Sequence, residues 1–276
     1  GQSYFLGLFN SSIREALSIT HGQFGSIYAS ATLCSSLLLI WVGKKIDDVN
    51  IFKFAFFVTI LLSFACFFFS RVTSVFLLFI AIFLMRFSGQ GLMSHTSSTT
   101  ISRYFTKSRG KALSAIWFGL SSAEFILPML IIFLLTLFSW REVWQLISVF
   151  ILIVLPATIF FTIKNISLNT REKTHESNKN KKLILIKNWK RSEVIKDFKF
   201  YIISLNMLSM PWIVTGIFIY QSFIAESKSW DIYVIPKSFM VYSICSILTL
   251  LFSGFLVDKY TSRKLLPIMN LPLLAG

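Results

Sequence analysis

The chain has 276 residues, of which 55% are hydrophobic and only 14% are charged, and it contains 30 phenylalanines. A water-soluble domain of this length cannot bury so many apolar side chains, which excludes a soluble globular protein. The net charge of +15 would suggest nucleic-acid binding in a soluble protein, but most basic residues here lie in short segments between apolar runs. We therefore expect an all-α membrane protein that contacts the lipid bilayer and binds no nucleic acid.

Apolar runs of about 20 residues, the length that crosses a hydrocarbon core of roughly 30 Å, recur along the chain. They predict seven complete membrane spans, at residues 22–43, 51–70, 74–100, 110–138, 141–163, 199–225 and 236–257. Residues 1–9 are expected to be the tail of a preceding span, and residues 265–276 are about half of a following one. We number these spans one to nine, with the first and the last incomplete.

The basic residues predict the orientation of the chain. Of the 27 Lys and Arg residues, 21 lie in loops on one side of the membrane, at residues 44–53, 101–111, 164–199 and 257–264. The positive-inside rule puts this side in the cytoplasm, as in a multi-pass protein of a bacterial inner (plasma) membrane.

Residues 164–198 are polar, basic and rich in Asn, unlike the rest of the chain. They predict a cytoplasmic linker between an N-terminal bundle, residues 1–163, and the start of a second bundle, residues 199–276. Clustered basic residues beside a membrane attract anionic lipid headgroups, so the linker is either a lipid-binding segment or a solvated connection.

A short motif occurs twice, each time at the cytoplasmic end of a span. Span two ends with Gly43, three residues and then Asp47, and span eight ends with Gly254 and Asp258 in the same spacing. Basic residues follow the second copy, at Lys259, Arg263 and Lys264. An Asp in such a loop can face a helix N-terminus or an Arg, forming a latch that opens when two bundles move.

This repeated loop resembles the signature of the major facilitator superfamily, Gly-x-x-x-Asp-Arg/Lys-x-Gly-Arg-Arg/Lys. The first copy departs from it, with Asp48, Val49 and Asn50 where basic residues and Gly are usual. Further segments are similar to bacterial members of the family, namely GQSYFLGLF, HGQFGSIYASATL, RFSGQGLMSHTSSTTISRYF, RGKALS, GLSSAEFILP and SWREVW. The resemblance implies twelve helices in two bundles with alternating access to a central cavity. The chain would hold about two thirds of that fold, and we expect a monomer.

Two charged residues lie well inside predicted spans, Arg86 in span four and Glu124 in span five. Each lies about 14 residues from the cytoplasmic end of its helix, which at 1.5 Å per residue puts both roughly 21 Å deep. Ionisable groups are costly in a membrane and mark functional sites or buried pairs. The two are therefore candidates for transport, and the alternative is that they pair with each other and only stabilise spans four and five.

Because a planar guanidinium suits a carboxylate, Arg86 predicts an organic anion such as a monocarboxylate as the solute. In an α-helix Gln90 would lie on the same face as Arg86, and the resemblance implies that this face lines the cavity. Glu124 is the candidate to carry a coupling proton, as in a symporter. Gln2 in span one and Gln221 in span seven are further substrate-binding candidates, because those spans also line the cavity in the family. The alternative for both is ordinary interhelical hydrogen bonding.

Other functions find less support in the sequence. The three cysteines are isolated in apolar runs, and the chain has no HExxH or GxSxG motif, so we predict no enzyme, metal or cofactor. A drug or metabolite exporter is the alternative within transport. Antiporters of the family carry several Gly and Pro in span five, of which this chain keeps Gly119 and Pro128. A membrane receptor or assembly protein is the remaining alternative.

Overall fold

The computed structural model describes residues 3–104, 109–163, 191–231, 233–260, 262–266 and 270–271. Most of these residues are helical and none of them lies in a strand, which confirms the predicted all-α fold. The helices are α1 (Ser3–Gly7), α2 (Asn10–Leu17), α3 (His21–Val42), α4 (Ile51–Ser70), α5 (Val75–Met85), α6 (Ser94–Tyr104), α7 (Arg109–Leu137), α8 (Trp140–Ile163), α9 (Arg191–Lys196), α10 (Phe198–Ser227), α11 (Val234–Tyr260) and α12 (Ser262–Leu265).

The predicted membrane spans are confirmed in the described part of the chain. Seven helical stretches there are long and apolar enough to cross a membrane, and each overlaps one complete predicted span. They are His21–Ile46, Ile51–Ser70, Val75–Ile101, Ala112–Leu137, Trp140–Phe161, Phe198–Ser227 and Val234–Ser253. Many of their large apolar side chains are exposed, including Phe57, Phe64 and Phe150. These side chains face lipid in a membrane, so the chain is a multi-pass membrane protein.

Polar side chains in the loops fix where several of these helices begin. Thr20 and Gln23 form a reciprocal capping box at the start of α3, with a Thr20 N to Gln23 Oε1 distance of 2.8 Å. Asn50 Oδ1 accepts a hydrogen bond from the Phe52 amide at the start of α4, at 2.8 Å. Because the first amides of a helix lack partners within it, these side chains set the boundaries between loop and span.

The helices pack in pairs whose members are not consecutive in the sequence. Helix α4 packs along α8, α3 along α5 and the segment that follows it, α7 along α11, and α1 against α10. Ser63 and Ser148 join α4 to α8, each hydroxyl donating to the carbonyl oxygen of the other residue, at 2.9 and 2.8 Å. The last two pairs join the first six spans to spans seven and eight. We call the membrane side where α10 begins the linker side and the side where α10 ends the far side.

Arg141, at the start of α8, holds the end of α4 at the far side. Its Nη1 donates hydrogen bonds to the carbonyl oxygens of Ser70, at 3.1 Å, and Val72, at 2.7 Å. Since the last carbonyls of a helix have no partner within it, we expect Arg141→Gln to lower the free energy of unfolding by about 1–3 kcal/mol. Unfolding of the purified protein in detergent measures this loss. The matched control is Arg71→Gln, because Arg71 is exposed, and equal losses in the two variants would contradict this role.

Span four differs from its prediction in one respect. Instead of a continuous α-helix over residues 74–100, it contains a π-helical segment at Arg86–Met93 between α5 and α6. A π-helix has more residues in each turn than an α-helix, so the α-helical angle between Arg86 and Gln90 does not apply there. Such segments occur frequently at functional sites.

Candidate functional site

Arg86 lies where α1, α3 and the π-helical segment meet. Its side chain is only 7% exposed. The Nη1 atom donates to Ser3 Oγ at 3.3 Å, and the guanidinium carbon lies 5.1 Å from the ring centroid of Tyr28. Ser3 Oγ is in turn 2.7 Å from the Tyr28 hydroxyl. The guanidinium is therefore held in the interior of the bundle by a hydroxyl group and an aromatic face.

Gln90, one turn further along the π-helical segment, is half-buried. Its Oε1 atom is enclosed, and it accepts no hydrogen bond within the described part of the chain. An enclosed acceptor without a donor is costly and is normally satisfied by water or a ligand. Gln90 thus has unused hydrogen-bonding capacity.

Glu124 lies on α7, with its side chain 6% exposed. One turn before it, Ser121 Oγ donates to Ser246 Oγ on α11 at 3.1 Å. Spans five and eight are separated by an odd number of crossings and so run in opposite directions. This register puts Glu124 at the level of Tyr242 on α11.

The suggested pairing between the two intramembrane charges is not what the structure shows. Arg86 contacts Ser3 and Tyr28, whereas Glu124 lies on α7, which packs along α11. Among the described residues no salt bridge joins Arg86 to Glu124. Arg86 and Glu124 therefore have different surroundings within the described part of the chain.

Gln221 on α10 makes an interhelical hydrogen bond, which is the alternative to substrate binding for this residue. Its Nε2 donates to the carbonyl oxygen of Tyr4 at 2.9 Å, and the side chain is 2% exposed. Its Oε1 accepts no hydrogen bond within the described residues. Gln221 also lines a cavity of about 220 Å³ between α10 and α11, together with Val214, Ile217, Phe218, Ile235, Ser238, Phe239 and Tyr242. Gln221 therefore contacts α1 and also borders the cavity between α10 and α11.

For most of the remaining candidates the structure describes only the position of the backbone. Gly43 and Asp47 lie in a 3₁₀ turn, Gly254, Asp258 and Lys259 in the last turns of α11, and Arg263 and Lys264 in α12. The side chains of Asp47, Asp258 and Arg263 lie outside the described part of the structure, as does Gln2 altogether. Lys259 and Lys264 are exposed at the linker side.

Gly43 has one partner that the sequence motif does not predict. His95 Nε2 on α6 donates to its carbonyl oxygen at 3.0 Å. A Cβ at Gly43 would lie 3.5 Å from the His95 ring, an ordinary contact. Close packing therefore does not require glycine here, and the hydrogen bond holds the end of α3 against α6. No group of three or more potential metal ligands occurs among the described residues.

Sequence reasoning missed the partners of Arg86. Ser3 lies in the short stretch taken as the end of span one, and Tyr28 lies within span two. A tyrosine within a span could have signalled them, because a buried hydroxyl group needs a hydrogen-bond partner. Periodicity alone could not, since it gives no information about which spans are neighbours.

Comparisons with known proteins give one result that covers the whole chain. No curated protein and no solved structure matches it significantly. The family model of the Major Facilitator Superfamily matches residues 1–276, in agreement with the seven long apolar helices and the pairwise packing described above. This chain therefore belongs to the Major Facilitator Superfamily, a superfamily of membrane transporters.

Proposed function

We propose that the protein is a secondary active transporter that moves a small organic anion, such as a monocarboxylate, by alternating access. The observation that carries this proposal is Arg86, a permanently charged side chain buried in the interior of the bundle. A guanidinium offers parallel N–H donors that match the two oxygens of a carboxylate. Gln90, one turn away on the π-helical segment, remains a second substrate-binding candidate through its Nε2, which can donate to an anion, whereas its Oε1 needs a donor.

Glu124 is the residue that we propose carries a coupling proton. It is buried in a span and makes no ion pair with Arg86 among the described residues. A carboxyl group in such a place can gain and lose a proton without separating a salt bridge.

The coupling role predicts the behaviour of Glu124→Gln, which keeps the shape of the side chain and cannot ionise. In proteoliposomes containing the full-length wild-type protein, an imposed pH gradient should change the initial rate of carboxylate uptake several-fold. The same gradient should leave the rate of the Gln variant unaffected. Glu142→Gln is the control, because Glu142 is exposed at the far side. A variant at position 124 whose uptake still follows the pH gradient would remove the coupling role.

Three further assignments complete the proposal and rest on the sequence. Residues 164–198 form a cytoplasmic linker whose basic residues attract anionic lipid, and the chain lies in the inner membrane as a monomer. The motifs at Gly43 and Gly254 act as latches at the linker side. An exporter that exchanges drugs or metabolites for protons is the alternative, and it would transport cationic or neutral compounds in preference to carboxylates.

A further inference from the structure

A cavity of about 410 Å³ opens to the surface at the linker-side end of α3, and we call it the linker-side cavity. It is formed by the end of α3, the 3₁₀ turn that follows it and α6, and its described lining residues are Leu39, Ile40, Gly43, Lys44, Ile46, His95 and Thr99. This volume lies within the range of ligand-binding sites. Neither Arg86 nor Glu124 lines the cavity, so the function proposed above does not account for it.

Contacts on two sides hold the walls of the linker-side cavity in place. The hydrogen bond from His95 Nε2 to the Gly43 carbonyl oxygen, at 3.0 Å, joins the 3₁₀ turn to α6. At the other side of the turn, Ile46 is buried in a small apolar core together with Phe54 and Phe87. The cavity is therefore formed by packed helices rather than by a loose loop.

Two polar side chains of the cavity, Lys44 and Thr99, are suited to an oxyanion. Lys44 is exposed and forms no ion pair within the described part of the chain. The hydroxyl groups of Thr96 and Thr100 each donate to a carbonyl oxygen four residues earlier, at 2.7 Å, whereas that of Thr99 makes no hydrogen bond with the described residues. No acidic residue is among the described lining. A lysine and a hydroxyl donor with unused capacity favour a phosphate group as the ligand.

The apolar wall of the cavity indicates what the phosphate is attached to. Leu39 and Ile40 belong to the last turns of α3, a membrane span, and the side chains of Ile40 and its neighbour Trp41 are 46% and 63% exposed. In a membrane such side chains face the acyl chains, while a lysine at the end of a span reaches the headgroups. A free phosphate ion would use only the polar part of the cavity, whereas a phospholipid would occupy both parts.

We propose that the linker-side cavity binds one anionic phospholipid from the leaflet at the linker side. The lipid phosphate pairs with Lys44 and accepts a hydrogen bond from Thr99, and the start of an acyl chain lies along Leu39 and Ile40. A zwitterionic lipid binds less tightly, because its ammonium group is repelled by Lys44 and the adjacent exposed Lys45. This site lies in the helices of the first bundle, so it is separate from the attraction of lipid by residues 164–198 and independent of the transported solute.

Retention of radiolabelled phosphatidylglycerol by the immobilised full-length protein in detergent micelles tests the inference. Phosphatidylcholine with the same acyl chains is the zwitterionic comparison, and inorganic phosphate, exchanged for chloride at constant ionic strength, is a competitor without acyl chains. We expect phosphatidylglycerol to bind at least about fivefold more tightly than phosphatidylcholine, the effect of one lysine beside an anionic headgroup. Inorganic phosphate should not displace it. Equal binding of the two lipids would overturn the inference, and displacement by inorganic phosphate would assign the cavity to a soluble oxyanion instead of a lipid.

Variants assign the binding to this cavity rather than to residues 164–198, which all of them retain. Lys44→Gln should weaken the binding of phosphatidylglycerol about fivefold and leave that of phosphatidylcholine nearly unchanged. Thr99→Val, which keeps the shape of the side chain, should weaken it several-fold. The controls are Lys228→Gln, at an exposed lysine on the far side, and Thr100→Val, whose hydroxyl group is already bonded to Thr96. Wild-type affinity for phosphatidylglycerol in both cavity variants would overturn the inference, and Lys44→Gln replaces an exposed side chain, so it tests the site even where Thr99→Val does not fold.

Discussion

Replacing Arg86 by lysine is expected to lower kcat/KM for carboxylate uptake by at least about tenfold. Lysine keeps the positive charge in the bundle but loses the planar fork that binds both oxygens of a carboxylate. A hydrogen bond to a charged group contributes about 1.5–3 kcal/mol, which corresponds to roughly tenfold to 150-fold. Arg86→Gln also removes the charge, so its loss should be larger. Initial rates of labelled carboxylate uptake into proteoliposomes measure both effects.

The controls separate binding from folding. Arg86 also contacts Ser3 and Tyr28 and so contributes to packing, and protein yield and thermal stability must be compared alongside uptake. Arg71→Lys is the matched variant, because Arg71 is exposed at the end of α4 and its replacement should keep wild-type uptake. Uptake of the true substrate that is unchanged in both Arg86 variants, at normal protein level, would eliminate the binding role.

Gly7→Ala is expected to reduce transport at least about tenfold, because it separates α1 from α10. A Cβ on Gly7 would collide with the backbone carbonyl oxygen of Phe218 and with the amide nitrogen of Gln221. The carbonyl belongs to the helix backbone and cannot rotate away, so the helices must move apart. Overpacking of this kind typically costs 1–3 kcal/mol.

Hydrogen bonds around Gly7 show what such a separation breaks. Asn10 Nδ2 donates to the carbonyl oxygen of Ile219 at 2.7 Å, and Ser222 Oγ donates to that of Gly7 at 3.3 Å. Together with the Gln221 amide these bonds join the first six spans to α10 near the far side. Gly216→Ala is the control on α10, since a Cβ there meets nothing within 4 Å. Equal uptake by the two alanine variants would show that this contact is not needed for transport.

The sequence predicts the spans because each of them is a local property. A run of apolar residues long enough to cross the membrane must be helical, whatever its neighbours are. The starts of α3 and α4 could also be predicted from the sequence, because Thr20 and Asn50 cap them through hydrogen bonds to residues only two or three positions away. The π-helical segment at Arg86–Met93 could not be predicted, because an apolar run indicates a helix without indicating its type.

The candidate site divides in the same way. Arg86 and Glu124 stand out in the sequence, because charge is rare in apolar spans. The hydrogen-bond partner of Arg86, Ser3, comes from a distant part of the chain, and the surroundings of Glu124 depend on the packing of α7 against α11. A single sequence does not contain the pairing of α7 with α11, so a mutual ion pair was as reasonable an interpretation as two separate sites.

The most direct test of the central claim is uptake by the full-length protein in proteoliposomes across a panel of radiolabelled carboxylates. We predict saturable uptake of at least one of them into vesicles that contain the wild-type protein, well above that into empty vesicles, with the rate strongly reduced in Arg86→Gln. Uptake of every carboxylate that equals that of empty vesicles, in a preparation that transports a cationic or neutral compound, would contradict an anion site at Arg86.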